Sequence, residues 1–167
     1  MNNLFKTAIN FYNNKEFDKA KKVCQDILDI QPSNLDATNL LAVLNFQNKN
    51  FIKSIQFFKK AVEINPNRPD IYNNLSIALL QEKKLDEAIF FWDKATSLNP
   101  DFAEAYFNKG NVYSNLKNYP KAIENFNQAI RIKNDYKEAY NNLGSLYAEL
   151  KEFKKAIEIF EKGLLIK

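Results

Sequence analysis

Between Tyr72 and Leu98 the apolar residues come in two bursts at helical spacing, separated by Lys83-Lys84-Leu85. Tyr72, Leu75 and Ile77–Leu80 put an apolar stripe on one side of a helix over 70–82. Ala88, Ile89, Phe91, Trp92, Ala95 and Leu98 do the same over 86–98. A link this short forces the two helices antiparallel. Asn99-Pro100 closes the pair, because a residue before proline is pushed out of the helical region. Pro120 falls where another second helix should start, a position at which the missing N–H costs little.

The hairpin recurs at a step of 34 residues along the whole chain. Ala20, Ser54, Ala88, Ala122 and Ala156 form one small-residue column, and Ala8, Ala42, Ser76, Gly110 and Gly144 form another. A third, from Ile27 through Ala61, Ala95 and Ala129 to Gly163, is small after its first member. Phe17, Phe51, Leu85, Tyr119 and Phe153 form a large column, and Pro32, Pro66 and Pro100 recur at the closing turns. Helix axes within about 8–10 Å need small residues where backbones come closest. Aromatics such as Phe58, Trp92 and Phe126 fill the space beside those contacts. One hairpin cannot bury its own apolar face, so each repeat needs its neighbour. The pattern predicts one all-α domain over 1–167, with repeats 1–34, 35–68, 69–102, 103–136 and 137–167.

The small columns, the aromatics and the closing prolines together resemble the tetratricopeptide repeat family over essentially the whole chain. The pentatricopeptide repeats, which read RNA, have a similar period, but the Ala20 column and the Pro32-type closures favour the tetratricopeptide reading. The resemblance implies a right-handed α-solenoid of about five antiparallel hairpins, and a first helix in each hairpin that lines a concave groove. Carried over residue by residue, the acidic column of that groove reads Asp36, Asp70, Glu104 and Glu138. The next columns bring in Asn39, Asn73, Phe107 and Asn141, then Asn74, Asn108 and Asn142, and then Ile77 and Asn111, with Leu80 as a further apolar anchor. The groove is expected to be greasier towards the N-terminus and amide-rich towards the C-terminus. Some family members hold acidic chaperone tails with basic residues in these columns. Asp70 or Glu104, and Asn74 or Asn108, stand there instead, so the resemblance implies no such clamp.

An asparagine carboxamide both donates and accepts, so it can pair with a peptide backbone whatever its side chains are. Asn74, Asn108 and Asn142 recur at one repeat spacing and suit an extended peptide. Each such bond contributes only about 0.5–1.5 kcal/mol net, against roughly 8 kcal/mol for micromolar affinity. Apolar anchors must therefore supply the rest.

Composition narrows the chemistry. The chain has no histidine, one cysteine and a formal net charge of +4. A duplex-binding protein typically neutralises about 6–10 phosphates, so this surplus points away from nucleic acid. There is no Gly-rich phosphate loop or metal-ligand cluster, so no catalytic residue, metal or cofactor is expected. Cys24 reads as packing. No apolar run approaches the roughly 20 residues of a membrane span, and no secretory signal is readable, which predicts a cytoplasmic protein with no membrane partner. Heavy use of Asn, Lys, Ile and Phe suggests an AT-rich, microbial genome.

The leading reading is a non-catalytic scaffold or adaptor that holds a protein or peptide. The alternative is the substrate-presenting N-terminal arm of a larger enzyme of glycosyl- or sulfo-transferase type. The chain stops at Lys167 before a closing turn, so self-association through an uncapped last repeat, or continuation of the chain, is also expected. Three features stand outside the groove. Phe57, Phe90 and Phe91 suggest an apolar surface contact on second helices. Lys15, Lys49, Lys83, Lys117 and Lys151 form an unbroken column at the hairpin tips, where a cation complements the helix dipole. Lys109 interrupts the Leu41, Leu75, Leu143 column and is expected to snorkel into the groove.

Overall fold

The computed structural model describes residues 2–166, so the last residue of the expected C-terminal face, Lys167, lies outside them. Among the described residues there are ten α-helices and no strand. The chain is an all-α stack of helical hairpins of the solenoid class. It forms two compact units, one running to Phe91 and the other starting at Trp92.

The first unit contains α1 (Asn2–Asn13), α2 (Phe17–Ile30), α3 (Leu35–Gln47), α4 (Phe51–Ile64), α5 (Pro69–Gln81) and the start of α6 (Leu85–Leu98). The second contains the rest of α6, α7 (Ala103–Asn115), α8 (Tyr119–Ile132), α9 (Lys137–Glu149) and α10 (Phe153–Leu164). The helices expected over 70–82 and 86–98 thus begin within one residue of those positions. Pro69 occupies the first turn of α5 and Pro120 that of α8. Asn34 caps α3, its side-chain oxygen accepting from the Ala37 N–H at 3.0 Å.

Within the first unit α1 packs on α2, α2 on α3, α3 on α4 and α4 on α5; within the second, α7 on α8, α8 on α9 and α9 on α10. The small columns sit where the sequence puts them. Ala8, Ala20, Ala42, Ala61, Ala88, Ala95, Ala122 and Ala129 are fully buried. Gly110 and Gly144 mark the tightest approaches: a Cβ on either would lie 2.6 Å from a ring carbon of Phe126 or Phe160.

Each hairpin tip closes in the same way. Lys15, Lys49, Lys83, Lys117 and Lys151 all have φ between 56° and 61°, the left-handed region. The Lys49 N–H donates to the Phe46 carbonyl at 2.9 Å, and the Asn50 N–H to the Asn45 carbonyl at 2.8 Å. The other four tips repeat this pair of bonds, which is the Schellman ending of a helix. The lysine column therefore marks a backbone conformation as well as a charge near the helix dipole.

Candidate functional site

In the first unit, Val43, Phe46, Phe58, Asn74 and Ile77 line an opening of about 170 Å³. Its walls are mostly apolar, with the Asn74 amide at the edge. At a liquid volume of about 30 Å³ per water, that is room for one branched aliphatic side chain. Leu80 lies half-buried one helical turn beyond Ile77. Asn39, on α3, is half-buried, and its Oδ1 is buried with no hydrogen-bond partner. A buried acceptor without a donor is costly, about 1–3 kcal/mol, and this one is closed off from solvent, so it is an internal cost and not a surface open to a ligand. Its neighbour in the column, Asn73, is only 2% exposed. Its amide serves the interior, so Asn74 is the amide that this unit presents at the opening.

The second unit presents Asn111, Asn115, Asn142 and Ser145 around an opening of about 330 Å³ whose floor includes Phe126 and Leu146. Asn142 Nδ2 donates to Asn111 Oδ1 at 2.6 Å. The two amides form one unit, leaving the Asn142 oxygen and the Asn111 NH2 for a ligand. Asn108 is half-buried and Asn141 exposed. Phe107 is partly spent on packing, its ring 6.0 Å from Phe126 and 4.9 Å from Tyr136. Burial, with Glu104 and Glu138 adding to it, pushes the Tyr136 phenol up to about 12, so it remains a donor throughout the physiological range.

The acidic column is partly neutralised from within. Arg68 donates to both carboxylate oxygens of Asp70, at 2.8 and 2.7 Å. The bond from Arg68 holds the Asp70 carboxyl below its ordinary range. Asp36, Glu104 and Glu138 are exposed.

Four family models together cover residues 5–166 without a gap. Three described as Tetratricopeptide repeat match residues 5–69, 57–90 and 101–166, and one described as TPR repeat matches 78–117. The chain belongs to the tetratricopeptide repeat family. No curated protein matches it significantly. Among solved structures, this tetratricopeptide chain is similar to a MamA crystal structure, at 25% identity and a TM-score of 0.87, over 94% of this chain and 92% of that one. It shares its fold with PilF of Pseudomonas aeruginosa at 20% identity and a TM-score of 0.84, over 97% of this chain and 75% of that one. It shares it also with YrrB, described as a TPR protein with an unusual peptide-binding site, at 20% identity and 0.79, over 98% and 84%.

The remaining sequence candidates divide in this tetratricopeptide stack. Phe90 is 53% exposed, with Phe91 edge-on to it at 5.2 Å. Phe57 instead packs against the core around Leu41 and Leu44, so the three phenylalanines do not share one exposed patch. Lys109, expected to snorkel into the groove, is 9% exposed, and its Nζ pairs with the exposed Asp93 carboxylate on α6 at 2.5 Å. Among the described residues no cluster of acidic, histidine or cysteine side chains could hold a metal, and no helix is long and apolar enough to cross a membrane.

Cys24 is fully buried, and desolvation pushes its thiol up to about 12 from an ordinary value near 9.0. A raised thiol means the folded state keeps a proton that the unfolded state loses. Its contribution is intact below about pH 9 and fades as pH rises towards 12. Alkylation of Cys24 at pH 8 is accordingly expected to run only as fast as the protein opens. Rapid labelling of the native protein, at the rate of a small free thiol, would contradict that placement.

Proposed function

We propose that this tetratricopeptide chain is a non-catalytic protein-interaction scaffold whose first-helix faces hold an extended peptide. The observation that carries the reading is the small apolar opening in the first unit, lined by Val43, Phe46, Phe58 and Ile77 together with the Asn74 amide. An aliphatic side chain fills the opening while amides meet the peptide backbone, the division of labour that a sequence-tolerant peptide site needs. The Asn111–Asn142 pair offers the second unit a similar backbone-reading surface. The family supports it, and YrrB, which has a peptide-binding site by its description, shares the fold.

Burying one aliphatic side chain contributes about 1.5–3 kcal/mol, which corresponds to roughly 10–100-fold in affinity. Ile77→Trp, which fills the opening, is therefore expected to weaken peptides by about that factor. Selection from a displayed random-peptide library should enrich sequences with an aliphatic residue. Asn111→Ala with Asn142→Ala tests the second unit separately and should weaken its ligands by about tenfold. The variants' unfolding midpoints serve as the folding control. A library that yields no binder, or binders indifferent to both variants, would sink the reading.

A further inference from the structure

A second opening in the second unit belongs to neither first-helix face described above. Tyr106, Lys109, Tyr113, Lys121, Glu124, Asn125 and Gln128 surround a space of about 450 Å³ between α7 and α8, with a mainly polar lining. Its origin is visible in the repeat. The column of Asn125 otherwise reads Val23, Phe57, Phe91 and Ile159, and that of Lys109 reads Thr7, Leu41, Leu75 and Leu143. The fourth repeat thus puts a polar residue into two mainly apolar columns, and both replacements line the same cavity.

The third repeat shows what normally fills such a space. There Tyr72 stacks on Phe91, centroids 5.9 Å apart and planes 19° from parallel. Tyr106 is the counterpart of Tyr72 and Asn125 the counterpart of Phe91. A tyrosine face therefore borders the space from which a ring has been removed. Around it stand hydrogen-bonding groups. Asn125 uses its NH2 on the Lys121 carbonyl at 2.8 Å, which leaves its Oδ1 as an acceptor. Gln128 accepts from Arg131 at 3.1 Å, which leaves its NH2 as a donor. Lys121 Nζ lies 5.1 Å from the Tyr113 ring centroid, exposed and able to meet an anion. Lys109 is held in place by Asp93 and sits 5.8 Å from the Tyr106 centroid. The volume falls in the range of small-molecule sites, about 300–1,000 Å³, and exceeds what a single aromatic side chain needs.

We propose that this cavity binds a small planar ligand with a polar ring edge and an attached anion, of the mononucleotide class. The ring takes the place beside Tyr106 that Phe91 takes beside Tyr72. Asn125 and Gln128 address its edge, Lys121 takes the anionic group, and Glu124 accepts from a hydroxyl or exocyclic amine. Stacking of a base on an aromatic side chain is a substantial part of such affinity.

The test is titration calorimetry of the whole protein with AMP, with adenosine (ring without anion) and with ribose 5-phosphate (anion without ring). AMP is expected to bind, with each half-ligand weaker by about tenfold or more. Asn125→Phe restores the residue of the second and third repeats. It is expected to fold, to raise the unfolding midpoint and to abolish AMP binding, while Lys121→Ala weakens AMP and spares adenosine. No binding of AMP, equal binding of ribose 5-phosphate and AMP, or binding undiminished in Asn125→Phe would each overturn the proposal.

Discussion

Phe126→Ala is expected to destabilise the protein by about 3–5 kcal/mol, and in that background Gly110→Ala should turn from harmful to helpful. Phe126 is 1% exposed and packs with Ala122, Leu143 and Leu146, with Phe107 and Ile123 against the same cluster. Truncating it removes a ring from a core too tightly packed to refill the space. Two of its ring carbons stand 2.6 Å from where a Gly110 Cβ would be. Gly110→Ala alone must therefore move the ring or the helix, at about 1–3 kcal/mol, which outweighs the roughly 1 kcal/mol of helix propensity that alanine gains over glycine. Without the ring the clash vanishes and only the propensity gain remains. The double-mutant cycle should show a coupling of about 1–3 kcal/mol, read from denaturant midpoints at constant slope. Additive effects would mean that Gly110 is not held small by Phe126.

The repeat pattern by itself points to that pairing. Gly110 lies in a small column and Phe126 in a large one, and close helix–helix contact is the physical reason for such columns. Helix limits are equally legible in the chain, since proline placement and a strong helical period both act locally. What a period cannot report is how far a neighbouring hairpin covers each face. Asn73 and Asn74 are adjacent in sequence, yet Asn73 is 2% exposed while Asn74 edges an opening. Successive residues point about 100° apart on a helix, so a small difference in packing decides which amide a ligand can reach. Lys109 shows the same limit. Its break in a leucine column is plain, but its partner Asp93 lies on the preceding helix, and that pairing exists only in three dimensions. The cavity it borders depends on a second break, at Asn125. The signal for that one is present in the chain as the contrast of Asn125 with Phe57 and Phe91, although nothing in the period tells which broken column opens a space and which is filled by a neighbour.

The lysine column carries the second large effect. Replacing Lys15, Lys49, Lys83, Lys117 and Lys151 by glycine is expected to stabilise the protein, by about 0.5 kcal/mol per site. Left-handed backbone costs an L-residue with a Cβ roughly 1–2 kcal/mol, and all five lysines adopt it, at φ 56–61°. Glycine adopts it without strain. Two terms work against the gain: a lysine near a helix C-terminus contributes about 0.3–1 kcal/mol through the dipole, and glycine loosens the unfolded chain by about 0.4–1 kcal/mol. The five side chains are exposed, so the dipole contribution sits at the low end of its range and relief of strain wins. Each lysine sits at its own hairpin tip, so the effects should add, and the five-fold variant should gain about 2.5 kcal/mol. Lysine-to-alanine variants separate the two causes: they lose the dipole contribution and keep the strained φ, so they should fall below the parent while the glycine variants rise above it. If glycine and alanine variants shift the denaturant midpoint alike, strain at the hairpin tips is not what limits stability there.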